Sequence, residues 1–371
     1  MRTVIVGGGI GGLAAAIALE SRGHDVDVFE RANEYRDVGS GLSLWPNSLA
    51  ALDALGVGQE VRQRSATVSP VGILDRHGRT LSRIDPEVFA RRHGEIAMIH
   101  RAELLEVLRS RVRQGTLVPG VEVSAVTPDG VVHCDGDTIE PDVVVAADGV
   151  QSATRCSLWP LAGPPRYAGY AAWRMVTEPV HLETTGEAWG RGERFGYAPL
   201  PDGRAYCFAV VNTPPGADHG GLSEIRQRFG AWHDPIPSLI EATRPEDVLY
   251  HDLYEAPRLS EYVRGRVALL GDAAHAMTPN LGQGAGQALE DAVCLAEAID
   301  SGAGLQAYDQ VRRRRTQSIL LQSRRLGSVA QWSSAPAVAV RDAMLRAAPS
   351  SLTLAALAPV LDWRGAPMPQ Q

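Results

Sequence analysis

The sequence predicts an α/β chain: a parallel-sheet domain, interrupted by a mostly antiparallel β-sheet insertion and followed by a helical C-terminal segment. Three observations predict it. Residues 3–6 are a short apolar run, followed by clustered glycines, an alanine-rich helical stretch through Leu19 and an alternating strand that ends at Glu30. Residues 166–250 change to aromatic-rich alternating segments with a Pro-Asp-Gly-Arg turn at 201–204. Residues 266–270 then return to a core strand, so the first domain is discontinuous.

The opening unit reads strand, tight turn, helix, parallel strand, the start of a Rossmann-like domain. Within it Gly7, Gly9 and Gly12 stand in G-x-G-x-x-G spacing. The first permits the tight turn, the second lets a pyrophosphate approach the backbone, and the third lets helix and strand pack closely. The unpaired N–H groups at the helix start then face phosphate. Glu30 closes the second strand, where a carboxylate holds an adenosine ribose; it favours an unphosphorylated ribose, hence FAD or NAD over NADP. A glycine-rich turn without a ligand is the alternative, and the flanking elements weigh against it.

The remaining elements follow in order. Residues 101–114 carry Leu104, Leu105, Leu108 and Val112 at helical spacing, and residues 120–147 read as short strands closing on Val-Val-Val-Ala-Ala-Asp. Helices are expected near 221–230, over 285–299 and over 303–332. The last carries Arg312, Arg313, Arg314, Arg315, Arg324 and Arg325, which read as a solvated face. The expected division gives residues 1–70, 96–163 and 263–302 to the nucleotide domain. Residues 71–95 and 164–262 go to the β-sheet substrate domain, and 303–371 to C-terminal helices.

Composition excludes several chemistries. The chain has 371 residues, 44% hydrophobic and 21% charged, an ordinary balance for a well-cored protein of more than one domain. A formal charge of −7 argues against a nucleic-acid partner. All 36 basic residues are arginine. Without lysine the chain builds no Walker A loop, no Schiff-base amine and no kinase strand lysine. Cys134, Cys156, Cys207 and Cys294 are dispersed without a C-x-x-C, so neither zinc ribbon, redox dithiol nor secreted disulfide scaffold is indicated, and no metal is expected. Glycines interrupt the apolar N-terminal stretch, and Glu20, Arg22 and His24 follow it, which reads as folded protein rather than a signal sequence. No uninterrupted run of 18 apolar residues occurs. The expectation is a cytoplasmic protein without integral membrane association.

Three separated stretches resemble the single-component FAD-dependent aromatic hydroxylases, the flavoprotein monooxygenases typified by para-hydroxybenzoate and salicylate hydroxylase. They are GGGIGGLAAAIAL with VFER (7–31), AADGVQSATR (146–155) and GRVALLGDAAHAMTPNLGQGAGQALEDAVCLAEAI (265–299). GLSLWPNSLAALDALGVG (41–58) and HRAELLEVL (100–108) fall between them in the family's order, and the resemblance covers about residues 1–335. It implies that Gly7, Gly9 and Gly12 hold the FAD pyrophosphate and that Glu30, followed by Arg31, serves the adenosine end. Arg101 reaches the phosphate or ribitol side. Asp148 and Gly149 position the nucleotide and assist reduced nicotinamide, while Gly271 and Asp272 serve the ribose or ribitol end. Pro279, Gly282, Gln283 and Gly284 form the loop under the flavin ring, with a helix N-terminus that suits negative charge. Gly41 to Leu44 lies along the ring's other side, framed by Trp45 and Pro46. His275 is not expected to act as a general base.

The implied reaction is hydride transfer from NADH or NADPH to non-covalently bound FAD, addition of O₂ at the flavin C4a, and transfer of the outer oxygen of that hydroperoxide to an electron-rich ring. Only one G-x-G-x-x-G is present, so the nicotinamide nucleotide is expected to dock transiently. The partners are a small aromatic or heteroaromatic substrate, O₂ and NAD(P)H, on a monomer or homodimer. Three alternatives stand beside this: an epoxidase or oxidative tailoring enzyme of secondary metabolism, a flavin dehydrogenase without oxygen transfer, and a non-enzymatic flavin-fold binding protein. Halogenation is excluded, because the W-x-W-x-I-P stretch and the catalytic lysine are both missing.

The substrate pocket is read from the hairpin. Phe195 and Tyr197 alternate on one strand, and Tyr206 and Phe208 on its return; the two pairs either floor an aromatic pocket or form sheet core. Arg174 and Arg194 are candidate anchors for a carboxylate or phenolate. The substrate candidates are thus Arg174, Arg194, Tyr197, Tyr206, Phe208 and Asn280, with Asn280, Tyr206 and Arg194 as the catalytic ones. LWPNSLAALDALG, RYAGYAAW and GRVALLGDAAHAMTPNLGQG resemble in detail the bacterial FAD-dependent urate hydroxylases. Those carry an aspartate at the position of Asn280, and an amide offers no carboxylate, which argues against urate itself.

Overall fold

A strand covered on both faces has no polar side to show, and Thr3 to Val6 fits that need: all four are buried. The computed structural model describes residues 1–34, 40–70, 72–363 and 365, and it sets this strand, Arg2–Val6, inside a six-stranded sheet. Asp25–Glu30 lies parallel on one side, followed by Leu117–Pro119. Val143–Ala146 lies parallel on the other, followed by Val267–Leu269, with Val263–Arg264 antiparallel at the edge. Helix Ile10–Glu20 leaves the first strand through the glycine turn and packs against helix Gly284–Asp300, so chain segments nearly 280 residues apart meet. Small residues make that contact close. A Cβ on Gly11 would sit 3.3 Å from Ala288 Cβ of the second helix and 2.7 Å from the Leu270 side chain that precedes it.

A second sheet of seven strands runs in the order Leu249–Glu255, Arg166–Val176, Ala205–Asn212, Glu193–Pro199, Gly186–Trp189, Ile73–Asp75, Thr80–Ser82. Its pairings are antiparallel except Gly186–Trp189 on Ile73–Asp75. Residue 71, where the early excursion was expected to begin, lies outside the described residues, as do 366–371 of the C-terminal segment. The chain therefore has a Rossmann-like fold with an inserted β-sheet domain and C-terminal helices.

Register corrects the reading of the hairpin. Phe195 pairs with Ala209 and Tyr197 with Cys207, so these four share one face. That face is packed with Trp173 and Met175 beneath helices Gly221–Phe229 and Ile236–Glu241. Tyr206 pairs with Ala198, Phe208 with Gly196, and both lie on the opposite face with Tyr170, Ala172 and Arg174. The two aromatic pairs are thus separated by the sheet. Tyr197 is core, not pocket.

Helix Gly304–Ala330 corrects a second expectation. Arg312 is fully buried, because the stripe Arg312, Thr316, Ile319, Ser323 and Gly327 turns inward at helical spacing, and Arg315 beside it is partly buried on Glu290. Arg314 and Arg325 stay exposed. Helices Ala335–Ala347 and Ser350–Leu361 follow. No single described helix is long and apolar enough to cross a membrane, although this last pair, bent by 93°, is apolar enough when taken together.

Candidate functional site

The glycine turn is built by contact. Gly7 adopts φ +106°, a region open to glycine, and a Cβ there would sit 2.5 Å from the Ala147 carbonyl oxygen. A Cβ on Gly12 would sit 1.9 Å from the Gly7 oxygen, whereas one on Gly9 would meet nothing within 4 Å. The first and third glycines are demanded by packing, and the second opens on space. Gly9 also caps helix Ile10–Glu20 without a side-chain hydrogen bond, which leaves the first helical N–H groups facing that space. The Glu30 carboxylate is held beside it, Oε2 accepting from Gly8 N at 2.8 Å and Oε1 from Ala32 N at 2.9 Å. Each oxygen keeps a lone pair for a ribose hydroxyl. Arg31 follows, exposed.

Strand Val143–Ala146 delivers Asp148 and Gly149 to the far side of the turn. Asp148 Oδ2 accepts from Thr154 N at 3.1 Å, while Oδ1 is buried with no partner among the described residues, an acceptor that calls for a ligand donor. Buried Arg155 donates to the Ala273 and Val150 carbonyls at 2.8 and 2.6 Å, and so ties this loop to the one that starts at Gly271. Gly271 caps the short helix Asp272–His275, and its N–H donates to Asp291 Oδ2 at 2.9 Å. His275 lies behind, fully buried, with Nε2 2.5 Å from the same oxygen. It steadies the loop and faces no cleft. Asp272 and Arg101 are exposed in front. Desolvation in the cleft, then the Arg174 charge, lowers the Arg101 pKa, with Asp272 opposing. Desolvation, then Arg174 and Arg101, pushes His251 below the usual histidine range. Two arginines and a neutral histidine thus share one electrostatic neighbourhood at the seam of the two sheets.

The third wall is the loop before helix Gly284–Asp300. Pro279–Leu281 makes a short 3₁₀ turn, Gly282 takes a left-handed φ of +62°, and a Cβ on Gly284 would meet nothing within 4 Å. A Cβ on Gly282 would lie 2.7 Å from Trp45 Nε1, which is itself buried without a partner among the described residues. Gln283 is buried and bonded to Asn47. Strand Gly41–Leu44 closes the cleft, and a Cβ on Gly41 would sit 2.4 Å from the Tyr206 ring. The Tyr206 ring therefore rests on the Gly41 backbone. Arg174 is the ring's charged neighbour on that sheet face: desolvation raises the phenol pKa and Arg174 opposes it. Phe208 lies alongside, ring centroids 6.2 Å apart.

Arg194 and Asn280 meet, but not around open space. Arg194 is 3% exposed, and it donates from Nε to Gln331 Oε1 (2.9 Å), from Nη1 to Glu187 Oε1 (3.0 Å) and from Nη2 to Asn280 Oδ1 (2.8 Å). Its charge is spent inside the protein, so it is not the anion anchor expected of it. Asn280 Nδ2 donates to Tyr170 Oη (2.9 Å), Thr278 Oγ1 (2.8 Å) and the Ser323 carbonyl (2.9 Å). The sequence reading missed Tyr170 and His251. Tyr170 alternates with Arg174 in RYAGYAAWR, a signal that was readable; His251 has none. Among the described residues no cluster of three or more His, Cys, Asp or Glu is placed to hold a metal.

The open glycine turn, the orphaned Asp148 oxygen and the uncapped helix start fit a dinucleotide such as FAD, with its diphosphate by Gly9 and its ribose by Glu30. Comparison agrees. A family model described as an FAD binding domain matches residues 1–181 and 254–323. The aurachin C monooxygenase/isomerase of Stigmatella aurantiaca is 39% identical over 93% of this chain and 94% of its own. The 2-heptyl-3-hydroxy-4(1H)-quinolone synthase of Pseudomonas aeruginosa is 33% identical over 95% of each. Klebsiella pneumoniae HpxO, solved with FAD and uric acid, superposes with a TM-score of 0.89 at 28% identity, covering 97% of this chain and 96% of that one.

Proposed function

Because the chain belongs to the FAD-binding family of single-component flavoprotein hydroxylases and monooxygenases, we propose that it uses FAD, NADH or NADPH, and O₂ to hydroxylate an electron-rich heteroaromatic ring of the 4-quinolone kind. The observation that carries this reading is the Arg174–Tyr206 pair, laid over Gly41 on the sheet face that looks into the cleft. FAD supplies the redox chemistry when bound. Gly7, Gly9, Gly12, Glu30, Asp148, Asp272 and Arg101 hold it, the helix start at Gly284 presents N–H groups to an anionic group, and NAD(P)H docks transiently.

The chain's own residues prepare the ring. Tyr206 stays a phenol, because desolvation raises its pKa, and Arg174 beside it carries a permanent charge. Together they hold a ring oxygen in its enolate or phenolate form, and that form enriches the neighbouring ring carbon for oxygen transfer. Phe208, Ala172, Val210 and Leu253 form an apolar surround that keeps water from the reacting edge. Met98, Val176, Ala198 and Leu200 form a buried apolar cluster against which Tyr206 packs, so the surroundings of the ring are apolar on that side too. The Pseudomonas relative is named for a quinolone with a heptyl chain, which supports the same reading.

A screen of phenols, salicylates, purines and alkyl-4-quinolones tests it, each compound scored for stimulation of NAD(P)H oxidation and for H₂O₂ release under ¹⁸O₂. Alkyl-quinolones are expected to speed oxidation, release little peroxide and gain one ¹⁸O atom. Anaerobic turnover with another electron acceptor and unlabelled product would instead mark a dehydrogenase. A folded protein that takes up no FAD would mark a binding protein.

A further inference from the structure

Asn280 sits in the loop that turns under the cleft, and both hydrogens of its amide and one acceptor site of its oxygen are engaged by the protein. Oδ1 accepts from Arg194 Nη2, and the two hydrogens of Nδ2 are shared among Tyr170 Oη, Thr278 Oγ1 and the Ser323 carbonyl. No hydrogen is left for a substrate. The partners come from two strands of the seven-stranded sheet, from the loop itself and from helix Gly304–Ala330.

They are themselves fixed. Thr278 and Ser323 are buried and bonded to each other, with Ser323 Oγ also donating to the Thr278 carbonyl at 2.7 Å. Arg194 is held by Glu187 and by Gln331, and Gln331 in turn bonds Asn212 at 2.8 Å. Glycine is a poor residue for the interior of a 27-residue helix, yet Gly327 stands there. A Cβ on it would lie 2.3 Å from Asn280 Nδ2 and 2.5 Å from Tyr170 Oη. The helix gives up a side chain where the amide and the phenol need room.

We propose that Asn280 is a positioning residue: its amide pins the Thr278–Gly284 loop to the antiparallel sheet and to the long helix at once, and Gly327 provides the space for the pin. The inference rests on the proposed function in taking that loop as a wall of the FAD site. The donor end of the amide is what distinguishes it from an acid. An aspartate at 280 would keep the Arg194 contact and set its second oxygen against the Ser323 carbonyl.

The test is FAD affinity, read by fluorescence titration of flavin-free protein, with the melting temperature of the flavin-free protein measured alongside. Asn280→Ala and Asn280→Asp should each weaken FAD about tenfold, the loss of one to two good hydrogen bonds' worth of preorganisation. The flavin-free melting temperature should fall by only a few degrees, as the loss of local hydrogen bonds requires, with the protein still melting in one cooperative transition, which a general folding defect would not allow. Gly327→Ala should match Asn280→Ala, and adding it to Asn280→Ala should cost less than about twofold more, since the nearer of its two clash partners is gone and the Tyr170 hydroxyl is freed from the amide. Asn280 variants that bind FAD within twofold of wild type, or Gly327 and Asn280 effects that simply multiply, overturn the pin. Should Gly327→Ala not fold, the two Asn280 variants decide alone. Wild-type protein that binds no FAD overturns the proposed function instead, so the two failures are distinct.

Discussion

Arg174 and Arg194 stand on the same face of one sheet, and the sequence offers no means to rank them. Burial separates them: Arg194 has an acceptor for each of its three nitrogens, one of them the Glu187 carboxylate, whereas Arg174 is the electrostatic neighbour of Tyr206, Arg101 and His251. On the best anionic substrate Arg174→Ala should therefore cut kcat/KM by about a hundredfold, the worth of a charged hydrogen bond of roughly 3 kcal/mol. Arg174→Lys should recover only part, because one ammonium cannot replace a planar fork. Unchanged kcat/KM in Arg174→Ala would remove the anchor. Asp291 shows the same logic in the core. Burial alone would raise its pKa, but His275 and Arg312 outweigh burial and hold it at about 2. That lies below the roughly 3.9 of an unfolded aspartate. The group's stabilisation is thus complete above about pH 4 and is lost as pH falls toward 2. Melting temperature against pH should fall across that window in the wild type. It should fall less steeply in Asp291→Asn, which starts about 3 kcal/mol less stable at neutral pH because buried Arg312 loses a charge partner. Equal acid slopes would show that the pair does not carry the effect.

At the scale of elements, what was legible in the sequence was local. The strand–turn–helix unit is specified by residues within one short stretch, and Gly7, Gly9 and Gly12 occupy the three different environments their spacing implies. The hairpin turn at 201–204 was legible for the same reason, but the faces of its aromatics were not. They depend on which residues the turn brings opposite each other, and a pairing of 195 with 209 sends Tyr206 and Phe208 to the other side. Arg312 on the long helix was misjudged likewise, since only tertiary contact with Glu290 and Asp291 turns it inward, while Arg314 and Arg325 stay exposed as expected. The glycine turn yields a paired test. Gly12→Ala puts a methyl 1.9 Å from the Gly7 oxygen and should destabilise the fold by several kcal/mol, seen as loss of soluble protein or a large drop in melting temperature. At Gly9 an added Cβ meets nothing within 4 Å, so Gly9→Val should fold, with far-UV circular dichroism like wild type, while FAD binding falls below detection. A Gly9→Val protein that purifies with full flavin would sink the pyrophosphate assignment.

The whole molecule is held together around the cleft rather than beside it. Residues assigned to FAD come from 7 to 30, 41 to 44, 101, 148 to 149 and 271 to 284, so one ligand would touch every segment of the discontinuous nucleotide domain. Protein contacts already run the same way. Glu255, buried at the end of the seven-stranded sheet, bonds Arg166 in that sheet at 3.0 Å and Arg324 in the long helix at 2.8 Å, and Arg155 spans from one nucleotide loop to another. These ties from sheet to helix and from loop to loop predict a single cooperative unfolding transition that moves as a unit when FAD is added. At FAD a hundredfold above its Kd, linkage adds about 2.7 kcal/mol, and calorimetry should show the whole endotherm shifting upward with flavin concentration. Glu255→Ala cuts the sheet-to-helix tie without entering the cleft. It should leave FAD affinity unchanged and broaden or split the endotherm, with the flavin-dependent part now confined to the component that carries the glycine turn. A wild-type scan with two transitions, only one of them moved by FAD, would mean that the sheets fold independently. The substrate face carrying Arg174 and Tyr206 would then owe its position to the ligand rather than to the protein.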